Sequence, residues 1–141
     1  SVFVAYEWVT TPSYDEKNEA HVAIADEIII GNGLPNLRSW KVAEEAGKNV
    51  GFTLLQSRDL AVQADGSLTP WWHRLSSSLK VFKLKAKFNH TLVTIAEYLH
   101  VAPKGMIQVH QMLVDTGIAL IEGGEQGLFT PMHMLVFKKE D

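Results

Sequence analysis

The 141-residue sequence contains no cysteine. That excludes a disulfide framework, a thiolate metal site and a cysteine nucleophile, and it suits a reducing compartment. Charge of one sign is also scarce: 13 Lys and Arg stand against 16 Asp and Glu, leaving a net −3. Without a basic excess there is no electrostatic case for nucleic acid as a partner. Long apolar runs are missing as well. Stretches such as Ile28-Ile29-Ile30 fall far short of the roughly 20 residues a membrane span needs. Val2 to Val9 has neither a basic flank nor a small-residue cleavage site, so it does not read as a signal peptide. None of His73, His90, His100 and His110 pairs at four-residue spacing or in a His-Glu-x-x-His pattern, so no metal site is expected.

A phosphate-binding glycine loop is absent too. Such a loop follows a strand and opens a helix, whereas Gly31-Asn32-Gly33 and Gly123-Gly124 both follow helical patterns. They are expected to be helix caps.

What is present is a globular composition, 46% apolar, within the length of one domain. Val2 to Val9 is a near-continuous apolar run rich in β-branched and aromatic residues. It reads as a strand buried on both faces. Thr10 to Ser13 turns into a helix from about Asp15 to Ile30, stopped by Gly31-Asn32-Gly33-Leu34-Pro35. A second helix spans Ser39 to Asn49, with Ser39 as its N-cap, and a strand follows from Phe52 to Ser57. Gln63 to Thr69 is polar and reads as a loop before Pro70-Trp71-Trp72-His73. From Leu79 to Leu99 the apolar positions Val81, Leu84, Phe88, Leu92, Ile95 and Leu99 step by three or four, an amphipathic helix. Pro103 starts another helix that ends at Gly123-Gly124. The last strand is placed after Pro131, at Met132 to Phe137, because proline is unwelcome in a paired strand.

The first strand carries Tyr6-Glu7-Trp8 at its carboxyl end, where open α/β sheets bind ligands. A carboxylate in so apolar a run is costly unless it has a partner or a task. A strand of this kind also needs neighbours on both edges. The expectation is the C-terminal part of a larger α/β enzyme, whose first strand, left with an open edge, pairs with a second copy.

The set Tyr6-Glu7-Trp8-Val9-Thr10-Thr11, His21, Glu27-Ile28, Gly31-Asn32-Gly33-Leu34-Pro35, Asp59-Leu60-Ala61, Pro70-Trp71-Trp72, Ala102-Pro103-Lys104-Gly105, Gly123-Gly124-Glu125 and Phe129-Thr130-Pro131-Met132-His133-Met134 resembles the second half of the sterol 24-C-methyltransferases. The match runs in order along essentially the whole chain. Trp71-Trp72, Val109-His110 and Pro131-Met132-His133-Met134 look most like the plant-type branch that adds a second methyl group. The family usually has Gly-Asp-Gly-Leu-Pro where this chain has Asn32.

The resemblance implies an α/β fold: the C-terminal part of a Rossmann-like, S-adenosylmethionine-dependent methyltransferase sheet, with a helical insertion before the last, antiparallel strand. Residues 1–62 would be the end of the Rossmann-like domain, 63–127 the insertion, and 128–141 the final strand, lying between its two predecessors. It implies methyl transfer to a side-chain alkene of a sterol, through a carbocation, in sterol biosynthesis. S-adenosylmethionine would be held mainly by residues upstream of Ser1, so this chain alone is expected to be inactive and not to bind it. Glu7 and His21 are the catalytic candidates. Tyr6, Trp8, Trp71, Trp72, Met132 and His133 are the substrate-binding candidates, with Trp71 and Trp72 either a lid or an anchor for their loop. The expected setting is the cytoplasmic face of the endoplasmic reticulum, peripheral and without a span, as a homo-oligomer with a sterol substrate. Lys80, Lys83 and Lys87 step along one helix face beside Arg74 and Lys85, either docking an anionic membrane surface or forming a solvated face. The alternative to an enzyme part is a non-catalytic sterol- or lipid-binding module. A methyltransferase of another prenyl lipid would lack the insertion and its tryptophan pair.

Overall fold

Strand-forming residues at the start of the chain build β1 (Val2–Thr10), and the rest of the sheet assembles on it. The structure, a computed structural model, describes residues 1–62 and 69–139; most of the expected loop Gln63 to Thr69 lies outside the described residues. The elements then run α1 (Glu19–Asn32), β2 (Arg38–Ser39), α2 (Trp40–Asn49), β3 (Phe52–Asp59), a 3-10 turn (Trp71–Arg74), α3 (Leu79–Tyr98), α4 (Met106–Glu125) and β4 (Phe129–Lys139). The two-residue β2 has too few residues to leave a period in the sequence.

The sheet order is β2-β1-β4-β3. The last strand therefore lies between β1 and β3, antiparallel to both, as the resemblance implies. β2 pairs with β1 only at Val9 and Thr10. The rest of that edge of β1, from Val2 to Trp8, has no strand beside it among the described residues.

β4 begins at Phe129, ahead of Pro131 and three residues before the expected start at Met132. The reason is a bulge. Val9 opposes Thr130 and Glu7 opposes His133, so β4 carries one more residue than β1 across this interval. Pro131 sits within that bulge, where its missing N–H breaks no ladder bond. A second bulge at Leu55 of β3 shifts the register between Leu54–Phe137 and Gln56–Val136.

β1 is not buried on both faces as its composition suggests. Val2, Phe3, Val4 and Tyr6 are exposed, and burial begins only at Val9. One face is overlaid by α2, and the other is covered only near its carboxyl end. Apolar composition reports what a surface can bury, and the partners decide whether it does.

The core lies instead between the helices and the start of β4. Ile28 of α1, Ala119 of α4 and Phe129 pack together, with Ile24, Leu34, Leu37, Trp71 and Leu120 around them. Small residues let these parts close up. A side chain at Gly31 of α1 would strike Thr116 of α4, and one at Gly124 of α4 would strike Trp72. Gly123 and Gly124 lie in the last turn of α4, where their carbonyls accept the closing bonds from Leu128 and Gly127, and they are also places of close approach. Gly33 does cap α1, with φ of 62°.

α3 packs on α4 through Phe82, whose ring tip lies over Gly117. The N-terminus of α4 follows Gly105, which has no side chain to cap it. Glu97 of α3 serves in its place: its carboxylate accepts from the backbone N–H of Gly105 at 3.1 Å and of Ile107 at 3.0 Å. These bonds hold the Glu97 carboxyl below the ordinary range.

Candidate functional site

Strand alternation divides the residues expected at the site between two faces. On the α2 face lie Glu7 and His133, directly opposite each other in the β1–β4 ladder. Here α2 and the sheet bound a groove of about 670 Å³ lined by Glu7, Arg38, Val42, Ala46, Leu135 and Phe137, among others. The volume suits a small-molecule site. The walls are mainly apolar, and the carboxylate of Glu7 is exposed on one of them.

His133 is 6% exposed. Its ring stacks on Trp40, the first residue of α2, with centroids 5.9 Å apart and planes 14° apart. Nε2 of His133 and Oγ of Ser57 share a hydrogen bond of 2.8 Å. Burial lowers the pKa of His133, while the charges of Asp59 and Glu44 pull the other way. Desolvation wins, so the imidazole is neutral at neutral pH. Asp59 is tied down next to it: one carboxylate oxygen accepts from Thr130 Oγ1 and from the N–H of Ala61, each at 2.8 Å. A carboxylate, a neutral imidazole and a hydroxyl thus share one sheet face. This arrangement can steady positive charge and hold or accept a proton.

Tyr6 and Trp8 occupy the opposite face and do not share the groove of Glu7. Tyr6 opposes Met134 and is exposed. Trp8 packs on Phe129, centroids 5.2 Å apart, and Trp71 meets the same Phe129 ring edge-on at 5.4 Å. Trp72 meets Trp71 edge-on and lies against Gly124. The tryptophan pair therefore anchors the 3-10 turn to the core. A smaller cavity of about 220 Å³ opens beside the pair, with Asp59 and Thr130 also on its wall. Met132 sits in the bulge and is partly exposed.

His21 is not brought to this site. Its Nδ1 accepts from the N–H of Asp15 at 3.1 Å, and its ring lies near Tyr14. That bond closes the turn leading into α1. Ser57, Asp59 and Trp40 are members of the Glu7–His133 face that the sequence reading did not select. Alternation along β3 places Ser57 and Asp59 on one face, but only the pairing with β4 puts His133 beside them.

The described residues do not fit a cradle for S-adenosylmethionine. No glycine among them follows a strand and opens a helix: Gly33 ends α1, and Gly123 and Gly124 lie within α4. Among the described residues no helix is long and apolar enough to cross a membrane.

Residues 77–140 match the family described as sterol methyltransferase C-terminal. The whole chain is similar to curated C-methyltransferases. It is 46% identical to squalene methyltransferase 2 of Botryococcus braunii, over 99% of this chain and 36% of that protein. It is 44% identical to sterol 24-C-methyltransferase of Candida albicans, over 98% of this chain and 40% of that protein. It is 40% identical to 24-methylenesterol C-methyltransferase 3 of Arabidopsis thaliana, over 100% of this chain and 37% of that protein. The chain thus spans little more than a third of the length of the relatives it matches. No solved structure matches it. Along its whole length the chain thus corresponds in sequence to the C-terminal part of the sterol and squalene C-methyltransferases.

Proposed function

We propose that this chain is the substrate-facing part of a C-methyltransferase of sterol biosynthesis, acting on an apolar polycyclic alkene such as a sterol. The groove between α2 and the β1–β4 pair would take the substrate, with Glu7 facing it. The observation that carries this reading is one exposed carboxylate on the wall of a mainly apolar groove, with a neutral histidine opposite. Apolar walls bind the ring system by burial. Once a bound substrate excludes water from such a wall, the carboxylate stabilises positive charge developing in the substrate better than it would in water.

S-adenosylmethionine, the methyl donor that family membership suggests, would be held by residues outside this chain. The strand order supports the finer reading of a Rossmann-like methyltransferase sheet, because a last strand inserted antiparallel between its predecessors is how that sheet ends. On this reading residues 1–62 and 128–141 belong to the sheet domain and 63–127 to a substrate-side insertion. The bare edge of β1 takes the neighbouring strand of that sheet. His21 acts through the turn at Asp15. Trp71 and Trp72 bound the substrate side without moving as a lid. The enzyme would work from the cytoplasmic face of the endoplasmic reticulum.

Filling the groove tests the assignment. In the whole protein, Ala46→Phe should lower sterol affinity by roughly tenfold or more, since it displaces apolar surface from the ligand, and the melting temperature should hold. Unchanged affinity would move the substrate elsewhere. Tight sterol binding by the whole protein with no methyl transfer would leave a binding module in place of an enzyme.

A further inference from the structure

The apolar stripe that makes α3 amphipathic does not face the protein. At 100° per residue, Val81, Leu84, Phe88, Leu92, Ile95 and Leu99 fall within one narrow sector, and every one of them is exposed: Leu84 by 71% and Phe88 by 65%. A different face meets α4, through Phe82 on Gly117, with Ala86 and Val93 lining the groove between the two helices. The stripe runs the length of a 20-residue helix, about 30 Å.

Lysines border it. Lys80 and Lys87 lie along one flank and Lys85 along the other, and none of the three makes an ion pair among the described residues. Lys83, further round, reaches Glu122 of α4 at 3.8 Å. α3 holds four lysines against one glutamate, in a chain whose net charge is −3. Positive charge is therefore concentrated around the apolar stripe that α3 exposes. The apolar surface continues into the α3–α4 groove through Leu92, Val109 and Leu113.

We propose that α3 docks this protein on a bilayer surface of anionic phospholipid, lying in the interface plane. Its apolar stripe would enter the boundary between headgroups and acyl chains, and Lys80, Lys85 and Lys87 would meet the lipid phosphates. At the rim of a contact with another part of the protein, the flanking ammonium groups would keep their heads in water and gain little. At a lipid surface the same lysines keep their heads in the phosphate layer while their stems lie along the apolar boundary.

The test is flotation of the whole protein with vesicles of phosphatidylcholine alone or with phosphatidylserine added, at low and high salt. Binding should be strong only with phosphatidylserine and should weaken with salt. Lys80→Gln/Lys85→Gln/Lys87→Gln should weaken it roughly a hundredfold at low salt. Leu84→Gln/Phe88→Gln should abolish binding while leaving the melting temperature unchanged, because both side chains are exposed. Equal binding to the two vesicle types overturns the proposal, as does undiminished binding of the Leu84/Phe88 variant. A melting temperature lowered by many degrees in that variant also overturns it, since the stripe would then be covered by protein.

Discussion

Glu7 of β1 and His133 of β4 oppose each other directly across the antiparallel ladder, one residue before the bulge that accommodates Pro131. The pair is asymmetric. Glu7 is exposed in the α2 groove, whereas His133 is sealed beneath Trp40 and bonded to Ser57. Opposed residues in such a ladder have their Cβ atoms about 5 Å apart, yet the charges that act on His133 are those of Asp59 and Glu44.

Glu7→Gln keeps the shape of the groove wall and removes its negative charge. In the whole protein we expect single-turnover rate to fall by about two to three orders of magnitude, the effect of losing one preorganised electrostatic group. Sterol affinity and melting temperature should change little, since burial dominates affinity and Glu7 is exposed. A stable variant with normal single-turnover rate would remove Glu7 from the chemistry.

His133 should make stability depend on pH. Its folded pKa is depressed by burial, below the value of about 6.5 that it has when unfolded. The unfolded chain therefore takes up this proton first as pH falls. The contribution is fully present above about pH 6.5 and is lost as pH drops toward the folded pKa. Denaturant unfolding at a series of pH values should show this fall, and His133→Gln should flatten it. An identical slope in the variant would show that other groups set the acid limit.

Glu97 gives a second acid sensitivity. Its carboxylate, lowered by the bonds from Ile107 and Gly105, supports α4 above its unfolded pKa and loses that role as pH falls through the lower folded value. Glu97→Ala should increase hydrogen exchange at Ile107 and Gly105 while β4 stays protected. Unchanged exchange there would mean that water caps the helix equally well.

Gly117→Ala would stabilise an ordinary helix interior by up to about 1 kcal/mol. Here the new methyl meets the tip of Phe82, so we expect a net loss of about 1–3 kcal/mol. Phe82→Leu, which lacks that tip, should recover part of it in a double-mutant cycle. Additive effects would separate the two residues.

The open edge of β1 should make the 141-residue chain on its own self-associate. Val4→Lys, on the sheet face away from α2, should reduce the association seen by light scattering. A monodisperse parent at high concentration would show the edge to be protected. On its own the chain should also give no S-adenosylmethionine binding by calorimetry, and micromolar binding would place the cofactor site within it.

The pattern of residues alone determined most of the elements. β-branched and aromatic residues mark β1, Ser39 caps α2, Gly33 ends α1, and the three-to-four spacing from Val81 to Leu99 marks α3. Local preference and periodicity are properties of short segments, and they survive whatever the segment packs against. The family, too, was legible in short runs such as Tyr6-Glu7-Trp8 and Pro131-Met132-His133-Met134. Orientation and partnership were not. Nothing local says that the α3 stripe faces outward, that Gly123 and Gly124 separate crossing elements, or that a bulge lets Pro131 lie inside β4. The Glu7–His133–Ser57 face joins residues from three strands far apart in the chain. Only the antiparallel insertion of β4 between β1 and β3 brings them together, because pairing across a sheet is fixed by register and not by the sequence of any one strand.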